Sequence, residues 1–292
     1  MKRWRKEWEV KLKEYYDVLG ILVRNPLSVV GLIIVVSFIL IAILAQIIAP
    51  YPGDMIDVHP ERRLLPPSLD HPFGTDEMGR DILSRVILGA QISLKIIIFV
   101  VSIAAIIGIV LGGVAGFLGG IVDEVLMRIT DIFLAFPSII LAMAIAAALG
   151  PSLMNAMIAI IITWWPWYAR LVRGQVLSIR EMLYIEAAKA LGLSRTRIIF
   201  RHILPNCLSP VIVQMSLDAG YVILTAAGLS FIGLGAQPPT PEWGLMISTG
   251  RIYMPQWWWC SVFPGLAIMV TVLGFNLIGD VIRDVLEPRM RQ

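Results

Sequence analysis

Charge is scarce in this chain. Of 292 residues, 15% are Asp, Glu, Lys or Arg and 58% are hydrophobic, whereas soluble domains carry about 25% charge and about 45–50% apolar residues. Mean hydropathy is +0.80. This balance excludes a disordered chain, a nucleic-acid-binding domain and an ordinary soluble enzyme, because one core cannot bury so much apolar surface. Cysteine is nearly missing too. Cys207 and Cys260 are the only two, too few for a disulfide framework or a Cys-rich metal site. Three histidines, His59, His71 and His202, leave little for acid–base work. No G-x-x-x-x-G-K-[ST] occurs, so there is no P-loop to cradle a nucleotide's phosphates. H-E-x-x-H and G-x-S-x-G are also absent, which sets aside an intramembrane enzyme. No small-residue cleavage site follows the charged stretch 1–13, so no removable signal peptide is expected.

What the chain has instead is long charge-free runs. A bilayer core of about 30 Å needs about 20 apolar residues in helix. Five runs qualify: 27–49, 96–122, 132–169, 219–241 with a backward extension over 207–217, and 252–279. The third is too long for one crossing, and Gly150-Pro151 divides it as a turn would. The expected class is therefore all-α integral membrane, with six transmembrane helices. Lys and Arg set the orientation. With the N-terminus inside, 18 of the 24 basic residues fall on inner segments. These are Lys2, Arg3, Arg5, Lys6, Lys11, Lys13, Arg24, Arg128, the seven from Arg170 to Arg201, and Arg283, Arg289 and Arg291. Arg62, Arg63, Arg80, Arg85 and Arg251 fall outside. Both termini are expected in the cytoplasm, and Cys207 and Cys260 on opposite sides.

Several local patterns carry physical meaning. Gly108, Gly112, Gly116 and Gly120 recur every four residues, so they line one helix face, and small residues let helices approach closely in lipid. Pro137 is expected to kink the third span. Lys95, Asp131, Asp218 and Asp280 lie in or near spans, where charge is costly. Asp218 is the best placed to be buried, and Asp131 can pair with Arg128 on a helix surface. Thr75 is a good N-cap for an elbow helix over the apolar positions Ile82, Leu83, Val86 and Ile87. One histidine among loop acids, His71, is a poor metal site. In the segment 170–206, Ser178 and Glu181 form an S-x-x-E capping box for a helix over 182–191. Gly192 stops that helix. Ser194 caps a second helix over 195–203, which ends before Pro205. The face with Ile185, Ala188 and Leu191 needs a partner to bury it, so this hairpin reads as a docking element.

The hairpin also carries a resemblance. Glu186-Ala187-Ala188, then Gly192, then Leu204-Pro205 resembles the EAA loop of ABC importer permeases, with His202 where an Ile commonly stands. Further runs resemble the dipeptide/oligopeptide/nickel class and its second, C-type subunit. They are His71-Pro72-Phe73-Gly74-Thr75-Asp76, Gly79-Arg80-Asp81, Leu83-Ser84-Arg85, Arg201 to Asn206, Leu229 to Gly235, 239–244, Gly274-Phe275-Asn276 and 280–288. The resemblance covers roughly residues 20–292. It implies a type I (MetI-like) permease fold. It also implies a cytoplasmic coupling loop in which Glu186, Ala187, Ala188, Gly192, Leu204 and Pro205 engage an ATPase. The chain then divides into a cytoplasmic N-terminal segment 1–26, a first transmembrane helix 27–49 and an extracytoplasmic loop with elbow helix 50–91. A permease core 92–282 with the coupling loop 170–206 follows, then a cytoplasmic tail 283–292. The implied partners are a second permease in a heterodimer, two cytoplasmic ATP-binding subunits that hold ATP and Mg, an extracytoplasmic solute-binding protein and membrane lipid. Nucleic acid is not among them, and no cofactor is expected in this chain itself. The implied activity is peptide import, with nickel or another small solute as the alternative. Two rival classes are a proton-driven secondary transporter and a membrane anchor.

Overall fold

A computed structural model of the chain describes residues 26–286, with side chains described through Arg283. The basic residues from Lys2 to Arg24, and Arg289 and Arg291 in the tail, lie outside the described residues. Every regular element described is a helix.

Helix α1, Pro26–Ile48, is apolar throughout and stops just before Pro50, whose ring disfavours helix in the preceding residue. A loop with two short turns, Pro52–Met55 and Pro60–Arg62, leads to α2, Ile82–Leu118. At 1.5 Å per residue α2 is about 55 Å long, well beyond the roughly 30 Å bilayer core. The expected elbow helix is not a separate element, because residues 82–91 are the first turns of this rod. Nor is Thr75 its cap. Asp81 caps α2, accepting the Ser84 N–H at 2.7 Å. Nothing in 82–91 breaks the helix, since Gly89 is needed where Pro241 and Trp243 press on α2.

Gly119 (φ +66°) and Gly120 (φ +56°) turn the chain into α3, Gly120–Leu134. Gly120 therefore leaves the glycine face on which its spacing put it. After Pro137 comes α4, Ser138–Leu149, bent 88° from α3. Gly150, at φ +91°, then turns the chain into α5, Leu153–Arg180. Helix α6, Leu183–Ala190, and α7, Arg195–Ile198, form the hairpin. A π-turn, Ile199–Ile203, joins α7 to α8, Leu204–Phe231, so the helix does not end before Pro205. Proline lacks an N–H and its ring crowds the carbonyl four residues back. The wide turn just before Pro205 gives that ring room. Glu242 caps α9, Trp243–Gly250, through the Gly244 and Leu245 N–H groups. The last helix is α10, Trp259–Leu286. The last two spans also sit differently from the charge-free runs: α8 stops at Phe231 instead of reaching 241, and α10 starts seven residues after 252.

Among the described residues, four helices are long and apolar enough to cross a membrane, or five if the bent pair α3 and α4 counts as one. Six were expected. The difference is α5, whose apolar first half gives way to a half bearing Arg170, Arg173 and Arg180.

The most extensive helix pair is α2 with α5. A Cβ at Gly108 would overlap the Tyr168 Cβ, and one at Gly112 would overlap the Ala169 backbone. At Gly116 it would lie 2.9 Å from the Val176 Cβ. These three glycines let the two backbones touch, which is what lipid-phase packing requires.

Candidate functional site

The segment between α5 and α8 folds as a helical hairpin. Ser178 does not cap α6, because it lies inside α5, which runs to Arg180. The S-x-x-E pattern is overridden by packing: Val172, Val176 and Ile179 form a buried stripe that carries α5 past Ser178. Helix α6 ends as a glycine-terminated helix should. Gly192 has φ +74°, its N–H bonds the Lys189 carbonyl at 2.9 Å, and the Leu193 N–H bonds the Ala188 carbonyl at 3.2 Å. The Ser194 side chain accepts the Arg197 N–H and opens α7. The Tyr184 hydroxyl lies 3.5 Å from Asn206 Nδ2, tying α6 to α8.

The hairpin hides one face and shows another. Ile185 and Ala188, with Ile198 and Ile203, are buried in one cluster with residues of α5 and α8. The partner expected for Ile185 and Ala188 is thus the chain itself. Ala188 is only 7% exposed. Ile203 takes the apolar contact that His202 cannot make. The exposed face carries Glu186 and Ala187, with Leu183 at 82% and Leu191 at 80% exposure. Pro205 is exposed on the first turn of α8, and half-buried Leu204 points toward Gly113 of α2. Two leucines and a carboxylate thus share the exposed face of α6.

Ion pairs fasten the surrounding helices. Arg173 of α5 grips Asp123 of α3 through two bonds of 2.5 and 2.6 Å. Asp131 pairs with Arg170, not with Arg128, which instead lies 4.0 Å from Glu124. Neither long-range pair was readable in the sequence, since its members lie 50 and 39 residues apart.

At the opposite end of α2, the 50–81 loop forms a clasp. Asp81 accepts His71 Nδ1 at 2.9 Å and the Ser84 hydroxyl at 2.7 Å, while its own N–H bonds Asp54 Oδ2 at 2.7 Å. Arg85 donates to the Met55 and Pro239 carbonyls, and Arg80 to Asp76. Phe73 stacks on Phe263 of α10 at 4.0 Å, and Trp259 donates to the Thr75 carbonyl. His71 is therefore a structural partner of Asp81, and among the described residues no cluster could hold a metal. Burial pushes the Glu77 carboxyl above its ordinary value, with the Asp76 charge adding to the effect. Between the two ends, buried Asp218 accepts Gln214 Nε2 at 2.9 Å.

Residues 108–292 match the family model described as binding-protein-dependent transport system inner membrane component. Residues 15–67 match one described as the N-terminal TM domain of oligopeptide transport permease C. The chain is 52% identical to a dipeptide transport system permease protein of Alkalihalophilus pseudofirmus, over 92% of this chain and 88% of the relative. It is 53% identical to a probable D,D-dipeptide transport system permease protein of Escherichia coli, over 91% and 88%. A glutathione transport system permease protein of Pectobacterium atrosepticum is 43% identical, over 92% and 89%.

Proposed function

This chain belongs to the family of binding-protein-dependent transport system inner membrane components, and we propose that it is a permease subunit of an ATP-driven importer of di- and oligopeptides. The observation that carries this reading is the 52% identity to a dipeptide permease across 92% of the chain. In this reading α1, α2, the bent α3–α4 pair, α5, α8 and α10 are six crossings. The termini and the α5–α8 hairpin face the cytoplasm, and the 50–81 clasp faces outward in the inner membrane. The chain lines half of the pathway, and a second permease lines the rest. A solute-binding protein delivers peptide to the outer face. Two ATPase subunits, which hold ATP and Mg, dock on the hairpin. This chain has no P-loop and hydrolyses nothing itself.

The mechanism follows from stiffness. An ATPase docked on Leu183, Glu186, Ala187 and Leu191 pushes on α6. Helix α6 is keyed through Ile185 and Ala188 into α5 and α8, and α5 is locked to α2 along the glycine seam. Closing of the ATPase pair therefore moves whole rods, not a loose loop. Binding of ATP shifts the inward–outward equilibrium only by its differential affinity for the two states, and the hairpin is where that difference enters. Gly192 supports this by its positive φ, which a residue with a Cβ adopts at a cost of about 1–2 kcal/mol.

The test is uptake by the whole complex in proteoliposomes. With binding protein outside and ATP inside, a labelled dipeptide should accumulate. Omission of ATP or of the binding protein should abolish uptake. Accumulation driven by a proton gradient without the ATPases would refute the reading.

A further inference from the structure

Beside the exposed face of α6 lies a pocket. A cavity of about 570 Å³ opens between the C-terminal end of α2 and the hairpin. One wall is Phe117 and Leu118, and the other carries Arg180, Glu181, Lys189 and Arg195 together with Leu193 and Ile198. The charges on that second wall do not cancel. Arg180 is already held by Glu181 at 3.0 Å and by the Gly116 carbonyl at 3.2 Å. The neighbouring acids Asp123, Asp131 and Glu124 are taken by Arg173, Arg170 and Arg128. Lys189 and Arg195 form no ion pair with any described residue. Among the described residues, two cations are thus left at the cavity without a counter-charge.

The apolar wall has a different character. It is the last turn of a 37-residue apolar helix, and Leu118 is 55% exposed. The cavity therefore runs from apolar side chains at α2 to positive charge at the hairpin. An acidic patch on a soluble protein would satisfy the cations and leave exposed Leu118 without an apolar partner. Free phosphate would do the same. A phospholipid satisfies both walls at once.

The geometry points to a binding site for one anionic phospholipid, its phosphate held by Lys189 and Arg195 and its acyl chains laid along Phe117 and Leu118. Basic pockets between helices at the cytoplasmic surface suit such headgroups. The arginine fork meets two phosphate oxygens together, and the lysine adds a point charge. On the orientation proposed above, the lipid comes from the inner leaflet. It would brace the end of α2 against the hairpin.

The complete complex, in phosphatidylcholine nanodiscs containing a minor share of phosphatidylglycerol, provides the test. Native mass spectrometry reads how much phosphatidylglycerol stays bound and whether the ATPase subunits remain. Wild type should retain it. A Lys189→Gln/Arg195→Gln double variant should bind it roughly ten- to thirty-fold more weakly, the loss expected for two cations near a membrane surface. Lys189→Arg, which keeps the charge, should retain it. Leu118→Asp, with both cations intact, should also weaken retention. Equal retention by the double variant overturns the proposal. So does loss of the ATPase subunits with lipid retention unchanged, which would make the cations a protein contact. Displacement of the lipid by inorganic phosphate together with no effect of Leu118→Asp would make this a soluble-anion site. These readouts do not involve peptide, so their failure is distinct from failure of the import assay.

Discussion

Two glycine-to-alanine changes, one on the α2–α5 seam and one off it, should have opposite signs. At Gly112 a Cβ would overlap the Ala169 backbone, which cannot rotate away as a side chain can. The helices must part, and overpacking of this kind costs about 1–3 kcal/mol. The gain in helix propensity, about 1 kcal/mol, offsets part of that. Gly112→Ala should thus destabilise by up to about 2 kcal/mol. At Gly174, in the interior of α5, a Cβ meets nothing within 4 Å. There only the propensity acts, so Gly174→Ala should stabilise by up to about 1 kcal/mol. Thermal unfolding of the two variants in one detergent, read by fluorescence, measures the contrast. Gly112→Val should be worse than Gly112→Ala, because its branches add bulk where there is no room. If Gly112→Ala melts at or above wild type, or Gly174→Ala falls as far as Gly112→Ala, the close-contact account of the seam is refuted.

At the clasp, Asp81→Ala removes a helix cap and leaves His71 and Ser84 without their buried acceptor. A cap is worth about 1 kcal/mol and each orphaned buried group about 1–3 kcal/mol, so a loss under about 0.5 kcal/mol would contradict the network. Glu77 has a carboxyl raised above its ordinary 4.5, so the fold holds that proton more tightly than the unfolded chain does. Its stabilising contribution is full below pH 4.5 and fades as pH rises through the raised value. Glu77→Gln should flatten the pH dependence of the melting temperature over that window, and superimposable pH curves would remove Glu77 as a cause. Single cysteines at exposed Ser68 and Ser178, in a background without Cys207 and Cys260, should label from opposite sides of intact cells, Ser68 from outside. Labelling of both from one side would overturn the six-crossing topology.

The apolar runs made most helices legible, because crossing a membrane demands uninterrupted hydrophobic sequence. Spacing likewise showed the face shared by Gly108, Gly112 and Gly116, and local chemistry showed the turn at Gly192 and the cap at Ser194. Other features depend on contacts that a local pattern cannot contain. The S-x-x-E box at Ser178 has the right chemistry, yet three buried residues on α5 outweigh it. Pro205 reads as a helix stop, yet a π-turn absorbs its ring. Gly120 keeps the period of its neighbours but sits in the double-glycine turn. Ala188 reads as part of a docking surface, and only the packed hairpin reveals that it faces inward while Leu183 and Leu191 face out. The Arg173–Asp123 and His71–Asp81 pairs leave no periodic trace at all.

The central claim is that ATP hydrolysis is transmitted through the exposed face of α6. In the reconstituted complex, Leu183→Asp/Leu191→Asp places two charges on that face without touching the buried Ile185 and Ala188 side. The measurement is ligand-stimulated ATPase activity and dipeptide uptake from the same proteoliposomes, with ATPase-subunit retention read alongside. The account predicts that the permease still assembles with its partner permease, that ATPase retention weakens, and that stimulation and uptake fall together. Wild-type uptake with the ATPases fully bound would contradict it.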